Sequence, residues 1–302
     1  MRFLFVDRIL HSVQGEWIRG IKHVTADDFY LTLSESGTYQ FIPSLIGETL
    51  GQLAAWNVME ALDFAKRPVA GVAARAVVHK PVYVGETLLL ESYIDSLDDT
   101  AVQYHSIARV ENDIVFTVDG ALGPLLPMND FIDDSVIRQQ YAEINRPGEW
   151  LSPQFNSFVE TAKSPFQQIG EWERGKALSF TFDAIIKCEP GVQLSAIKRV
   201  TRAAPYFPDH FPNKPVLPMT VLLECQLNLA KVFLKQSSFK HAYRISELRR
   251  IKMNEFVYPG DIVICHLSVK RQEDQELVLS FRSEVDGKRV CVMELSLGTV
   301  ND

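Results

Sequence analysis

The chain repeats itself at an offset of 176 residues, and that constrains its folding more than any local pattern. Ile21-Lys22-His23-Val24-Thr25 lies over Ile197-Lys198-Arg199-Val200-Thr201, Asp7 over Asp183, Tyr30 over Tyr206 and Glu48 over Glu224, all without a gap. One residue less of offset sets Val84-Gly85-Glu86 over Pro259-Gly260-Asp261. Whatever one copy folds into, the other must fold into as well. The 302 residues divide accordingly into a repeat at 1–125, a connecting segment at 126–176 and a second repeat at 177–302. A connection beyond roughly 15 residues holds structure of its own or moves. Within it DSVIRQQYAEI predicts a short helix, and Trp150, Phe155, Phe158 and Phe166 predict a segment that packs across the body.

Each copy runs in the same order: an extended segment, one long helix, then several strands. LIGETLGQLAAWNVMEALDF has good helix formers and apolar residues on almost every face, which predicts a helix wrapped by other elements. VAGVAARAVVHKPVY, ETLLLESYIDSL, AVQYHSIARVE and DIVFTVDGAL follow as extended runs separated by Pro, Gly or Asp turns. The second copy has PMTVLLECQLNLAKVFL, then AYRISELRRIKM, DIVICHLSVKR, ELVLSFRSEVDG and KRVCVMELSL. The expected class is α+β, a curved antiparallel sheet around one buried helix, with the two sheets paired edge to edge.

Composition excludes several functions. With 46% hydrophobic and 23% charged residues the chain has ample material for a core. No run approaches the ~18 apolar residues of a membrane helix. MRFLFVDRIL is broken by Asp7 and Arg8 and has no small-residue cleavage site, so it does not read as a secretory signal, and a cytoplasmic location is expected. Net charge of −7 argues against nucleic-acid binding. Residues 1–176 carry 14 basic against 24 acidic side chains, net −10, and residues 177–302 carry 17 against 14, net +3. Cys188, Cys225, Cys265 and Cys291 have no CxxC pair and no His at zinc spacing, so no metal site is expected.

The most informative stretch is Phe207-Pro-Asp-His210-Phe-Pro-Asn-Lys-Pro-Val-Leu-Pro218-Met-Thr-Val-Leu-Leu-Glu224. It resembles the active-site region of the 3-hydroxyacyl-acyl-carrier-protein dehydratases of fatty-acid synthesis, HFPGxPVxPG followed by an apolar run and an acidic residue. Leu248-Arg-Arg-Ile-Lys and Phe256-Val-Tyr-Pro-Gly260-Asp261 are similar to that family's strand and its PGD turn. The resemblance covers the second copy and, more weakly, the first. It implies the hot-dog fold, here doubled within one chain, and a lyase of fatty-acid or polyketide-like synthesis. Its partner would be an acyl carrier protein bearing a phosphopantetheine-linked acyl chain, with no cofactor. Pairing of fused units into a homodimer is compatible with this.

In that family each site lies between two hot dogs, so the resemblance sets His210 against Glu48 of the other copy, not against Glu224. Gln52, one turn after Glu48, lies on the same helix face. Copy one has Ser34 in the place of His210, so Glu224 with Ser34 is expected to be a vestigial pair. Loss of water from a 3-hydroxyacyl thioester needs a base for the proton beside the carbonyl and an acid for the departing hydroxyl. Neutral imidazole suits the first, and a carboxyl kept protonated in an apolar tunnel suits the second. The enolate charge needs donors, and backbone N–H groups after Pro218, that of Met219 first, sit at a helix start.

Met219 and Asn213 stand where the family has glycines, a substitution that costs energy where the backbone needs φ > 0. Acidic residues of the isomerising branch are Asp and here both are Glu, which implies dehydration without double-bond migration. Basic positions Lys198, Arg199, Arg202, Lys214, Arg249, Arg250 and Lys252 form either a docking surface for an acidic carrier or a solvated strand face. Two other readings stay open: an enoyl-thioester hydratase or thioesterase on the same fold, and a non-catalytic acyl-thioester or carrier-binding partner of a synthase. No Asp-x-Asn-x-x-His run of the hydratase relatives is present.

Overall fold

One long helix followed by a meander of strands occurs twice. The computed structural model describes residues 2–34, 37–150 and 180–300. The first half contains β1 (Arg8–Val13), β2 (Trp17–His23), the small hairpin β3 (Leu31–Leu33) and β4 (Tyr39–Phe41), and helix α1 (Pro43–Ala61). Strands β5 (Lys66–Pro68), β6 (Val72–Val78), β7 (Thr87–Leu97), β8 (Ala101–Val110) and β9 (Asp113–Pro127) follow. A short helix α2 (Asp134–Ile144) covers DSVIRQQYAEI, as the sequence predicts. The second half has β10 (Ala184–Glu189), β11 (Gln193–Arg199), α3 (Met219–Gln236), β12 (Tyr243–Met253), β13 (Ile262–Gln272), β14 (Glu276–Val285) and β15 (Lys288–Thr299).

Apart from the β3–β4 hairpin, which is a sheet of its own, the strands form one antiparallel sheet in the order β1-β2-β7-β8-β9-β6-β12-β15-β14-β13-β11-β10, with β5 added beside β9. The order reads the same from either end, each strand of one half matching its counterpart in the other. The halves join where β6 pairs with β12, Ala73 opposite Ile251 and Arg75 opposite Arg249. The expected edge-to-edge pairing of two sheets is therefore present.

The repeat extends to individual hydrogen bonds. The Asp7 carboxylate accepts the His23 N–H at 2.6 Å, and Asp183 accepts that of Arg199 at 2.5 Å. Gly85 and Gly260 occupy matching turns at φ of about +100°, where a Cβ is disfavoured, and donate to Val24 and Val200 at 2.8 and 2.7 Å. In each turn the acidic residue that follows accepts the N–H two residues before the glycine: Glu86 from Tyr83 and Asp261 from Tyr258, both at 2.7 Å.

Helix α1 is wrapped as its composition predicts: Leu45, Leu50, Leu53 and Val58 are fully buried. It packs on β2, β7 and β8 and against α3. At roughly 25 cal/mol per Å2, each such leucine contributes ~2–3 kcal/mol. After α1 the chain passes through Asp63 and Phe64, both left-handed at φ 47° and 58°. For non-glycine residues this costs on the order of 1 kcal/mol each, offset by burial of the Phe64 ring. The turn delivers the chain into β5, beside the candidate site. Trp150 stacks edge-on to His23, with centroids 5.3 Å apart. Phe155, Phe158 and Phe166 lie outside the described residues.

Candidate active site

The loop before α3 contains Pro205, Pro208, Pro212, Pro215 and Pro218, which remove donors and narrow the backbone's choices. The remaining N–H groups close tight turns around His210. Its own N–H reaches Tyr206 O at 2.9 Å, and the Val216 N–H reaches His210 O at 3.1 Å. The His210–Phe211 peptide is cis. Asn213 ties the loop to the connecting segment, its N–H donating to Phe131 O at 2.9 Å and its amide to Asp133 at 3.1 Å.

His210 Nδ1 lies 3.1 Å from the Val216 carbonyl oxygen. A carbonyl can only accept, so Nδ1 carries the proton and Nε2 keeps its lone pair. The imidazole stacks on Phe211 at 4.1 Å and meets the edge of Phe3 at 5.8 Å. Burial pushes its pKa below the ordinary 6.5, opposed by the Glu48 charge and reinforced by Arg67. The ring is therefore a neutral acceptor at pH 7.

Glu48 and Gln52 project from the second and third turns of α1. The Gln52 amide donates to Glu48 Oε1 at 3.0 Å and to Phe3 O at 3.1 Å, while its oxygen accepts the Phe5 N–H at 2.9 Å. Thr220, in the first turn of α3, donates its hydroxyl to Glu48 Oε2 at 2.7 Å. Asp209 accepts the Phe3 N–H at 2.7 Å and pairs with Arg2 at 3.0 Å. Residues 2–5 are thus strapped across the site by both halves.

His210, Glu48, Gln52, Met219 and Thr220 line one cavity of about 190 Å3, otherwise walled by apolar side chains such as Trp56, Met59 and Leu223. Pro218 caps α3, accepting the Leu222 N–H at 3.2 Å. The Met219 N–H belongs to the first turn, whose donors have no acceptor within the helix. Met219 has no positive φ, and neither has Asn213, so replacing the family glycines carries no backbone penalty here.

The counterpart pair, Glu224 of the second half and Ser34 of the first, is built differently. Glu224 is buried, its Oε2 has no hydrogen-bond partner among the described residues, and burial raises its pKa. Ser34 sits in the β3–β4 turn, where its hydroxyl oxygen accepts the Thr38 N–H at 3.1 Å. Asn228 repeats part of the Gln52 arrangement by donating to Phe180 O at 2.9 Å. The start of α1 carries Pro43 where α3 carries Met219, so a backbone donor is missing there.

Sequence reasoning missed three participants. Thr220 had a signal, since it matches Ser44 at the repeat offset. Arg67 and Tyr104 had none, because tertiary packing alone brings them into the cavity lining. Burial, helped by the Glu48 charge, pushes the Tyr104 hydroxyl up to about 12. Of the basic positions, Arg249 pairs with Glu247 and Glu276 and Arg250 with Glu294, while Lys214 sits over Phe131 and Phe256. His105 and His266 meet Asp95 and Glu284 at 2.8 and 3.6 Å across neighbouring strands. Among the described residues no group of three His, Cys, Asp or Glu is arranged to hold a metal, and no helix is long and apolar enough to cross a membrane.

The architecture is a double hot dog. A structure described as an oleoyl thioesterase, from Lactobacillus plantarum, overlays with a TM-score of 0.58 over 96% of this chain and all of that one, at 10% identity. An acyl-ACP thioesterase from Bacteroides thetaiotaomicron overlays at 0.51, covering 92% and 97%, at 11% identity. At such identities the likeness carries the fold alone. Residues 178–294 match the FabA-like domain model. The 3-hydroxyacyl-[acyl-carrier-protein] dehydratase FabZ of Shewanella woodyi is 33% identical over 119 residues, 37% of this chain and 77% of that protein. That of Pediococcus pentosaceus is 32% identical over 118 residues, 38% and 78%. The chain belongs to the FabZ family of dehydratases, a family of lyases, through its second half.

Proposed function

We propose that this protein dehydrates 3-hydroxyacyl thioesters, carried on an acyl carrier protein, to trans-2-enoyl thioesters at one composite site between its halves. The observation that carries the reading is the meeting of His210 and Glu48, one from each half, in a single apolar cavity. His210 Nε2 takes a proton from the carbon beside the carbonyl. The C3–O bond breaks, the Glu48 carboxyl group gives a proton to the leaving hydroxyl, and water departs. The electron pair left by the α-proton becomes the new C2–C3 double bond. Gln52 and Thr220 hold the Glu48 carboxyl in place. The Met219 N–H, at the positive end of α3, faces the developing charge on the thioester oxygen.

Repeat 1–125 supplies the acid, repeat 177–302 supplies the base, and 126–176 connects them. The Glu224/Ser34 pair is vestigial, lacking a base and, through Pro43, a backbone donor. The test is enoyl-thioester formation from a 3-hydroxyacyl carrier or its short thioester mimic, with wild type beside His210→Ala. Loss of about 10²–10⁴-fold in turnover is expected. Free thiol released instead of enoyl product would turn the reading to a thioesterase. Binding of the acyl carrier without turnover would turn it to a non-catalytic partner.

A further inference from the structure

Among the described residues that line the cavity, Arg67 is a charged group that this chemistry leaves unused. Arg67 enters it from β5, where Lys66 and Pro68 on either side pair with Pro127 and Leu125 of β9. The guanidinium carbon lies 3.7 Å from the centroid of the Phe211 ring and 5.5 Å from that of Phe131. Its Nε is buried and has no hydrogen-bond partner, and the side chain forms no ion pair among the described residues. Burial pulls Arg67 down to about 9, with Glu48 pulling the other way, so the group is still a cation at neutral pH.

An Nε–H shut away from water is costly unless an acceptor completes it, although the Arg67 side chain as a whole is half-buried. Glu48 lies near enough to act on it electrostatically but too far to pair, and His210 is set off from it by the Phe211 ring. Arg67, Glu48 and His210 all line the same cavity. A neutral carbonyl would gain little from a cation there, whereas an oxygen that becomes negative would gain much, which is the requirement for lowering a barrier.

We propose that Arg67 makes the reacting end of the cavity a site for an anionic oxygen, and that in turnover this is the thioester oxygen as it takes on enolate charge. The proposal rests on the dehydratase reading for its second part and on the cavity alone for its first. A stable ligand of the same chemistry is a simple fatty carboxylate.

Calorimetric titration of octanoate and of its neutral counterpart, octan-1-ol, into wild type, Arg67→Met and Arg67→Lys tests the first part. Arg67→Met should weaken octanoate by about tenfold or more and leave octanol within about twofold, with Arg67→Lys in between. Steady-state kinetics on the 3-hydroxyacyl thioester test the second: kcat should fall by about tenfold or more in Arg67→Met while KM stays within about threefold. Equal octanoate affinity in wild type and Arg67→Met, or an equal loss for octanol, overturns the anion site. Wild-type kcat in Arg67→Met, or a rise in KM alone, overturns the enolate role. Octanoate discrimination in a wild type that dehydrates nothing overturns the dehydratase reading and leaves the anion site standing.

Discussion

At the scale of single residues, the two glutamates are chemically identical and differ only in surroundings. Glu48 has donors on both oxygens and faces the cavity; Glu224 has an unpartnered oxygen in the core. Glu48→Gln should therefore lower turnover by about 10²–10⁴-fold, while Glu224→Gln should leave it within about twofold. Similar losses from both would sink the single composite site. Stability should respond in the opposite sense. Burial raises the pKa of Glu224 in the folded protein, so its stabilising effect is complete below the unfolded value and is lost as pH rises through the folded one. Glu224→Gln is thus expected to raise the melting temperature at pH 8, with the gain shrinking towards pH 4.5; no gain at pH 8 would contradict it. His210 makes a third prediction. Its pKa is depressed by burial, so it remains a base as pH falls past 6.5, and the acid limb of kcat/KM should have its midpoint below that value. A midpoint above 6.5 would point to a different base.

At the scale of elements, the halves solve one packing problem with different chemistry. The β1–β2 hairpin is fastened to α1 by Asn57, fully buried, whose oxygen accepts the Gly15 N–H at 3.0 Å and whose amide reaches Val13 O and Trp17 O at 2.9 and 3.1 Å. At the repeat offset Asn57 becomes Phe233, which fills the core, and the Gly191 N–H of the matching hairpin turns to the Ser237 hydroxyl at 2.8 Å. Asn57→Leu would leave buried hairpin groups without partners and should cost roughly 2–4 kcal/mol. Urea unfolding with an unchanged slope is the measurement, and a cost under about 0.5 kcal/mol would show that water replaces the amide.

For the whole molecule, the site exists because the halves are one body. The sheet is continuous through β6 and β12, Arg75 of one half pairs with the buried Glu247 of the other, and Thr220 reaches across to Glu48. A base and an acid held by separate bodies would drift against each other, and a small misplacement costs rate heavily. Thermal unfolding should accordingly be a single transition in which calorimetric and van't Hoff enthalpies agree. Two resolved transitions would mean that the halves fold independently and that the cavity between them is not rigid.

Much of this is legible in the amino-acid sequence. The repeat offset carries the doubled architecture, because residues such as Asp7 and Asp183 or Gly85 and Gly260 serve turns whose bonds are local and therefore written in short stretches of sequence. The motif around His210 and the helical spacing of Glu48 and Gln52 likewise point to the groups proposed to react. The tertiary structure alone decided what surrounds them. Which nitrogen of His210 is free depends on the Val216 carbonyl, and which oxygen of Glu48 is held depends on Thr220, 172 residues away. Arg67 carried no mark in the sequence, since its position is set by β5 lying beside β9 and by the faces of Phe131 and Phe211. Local bonds repeat with the chain, but burial and electrostatics depend on neighbours far along it, and those exist only once the halves have closed on each other.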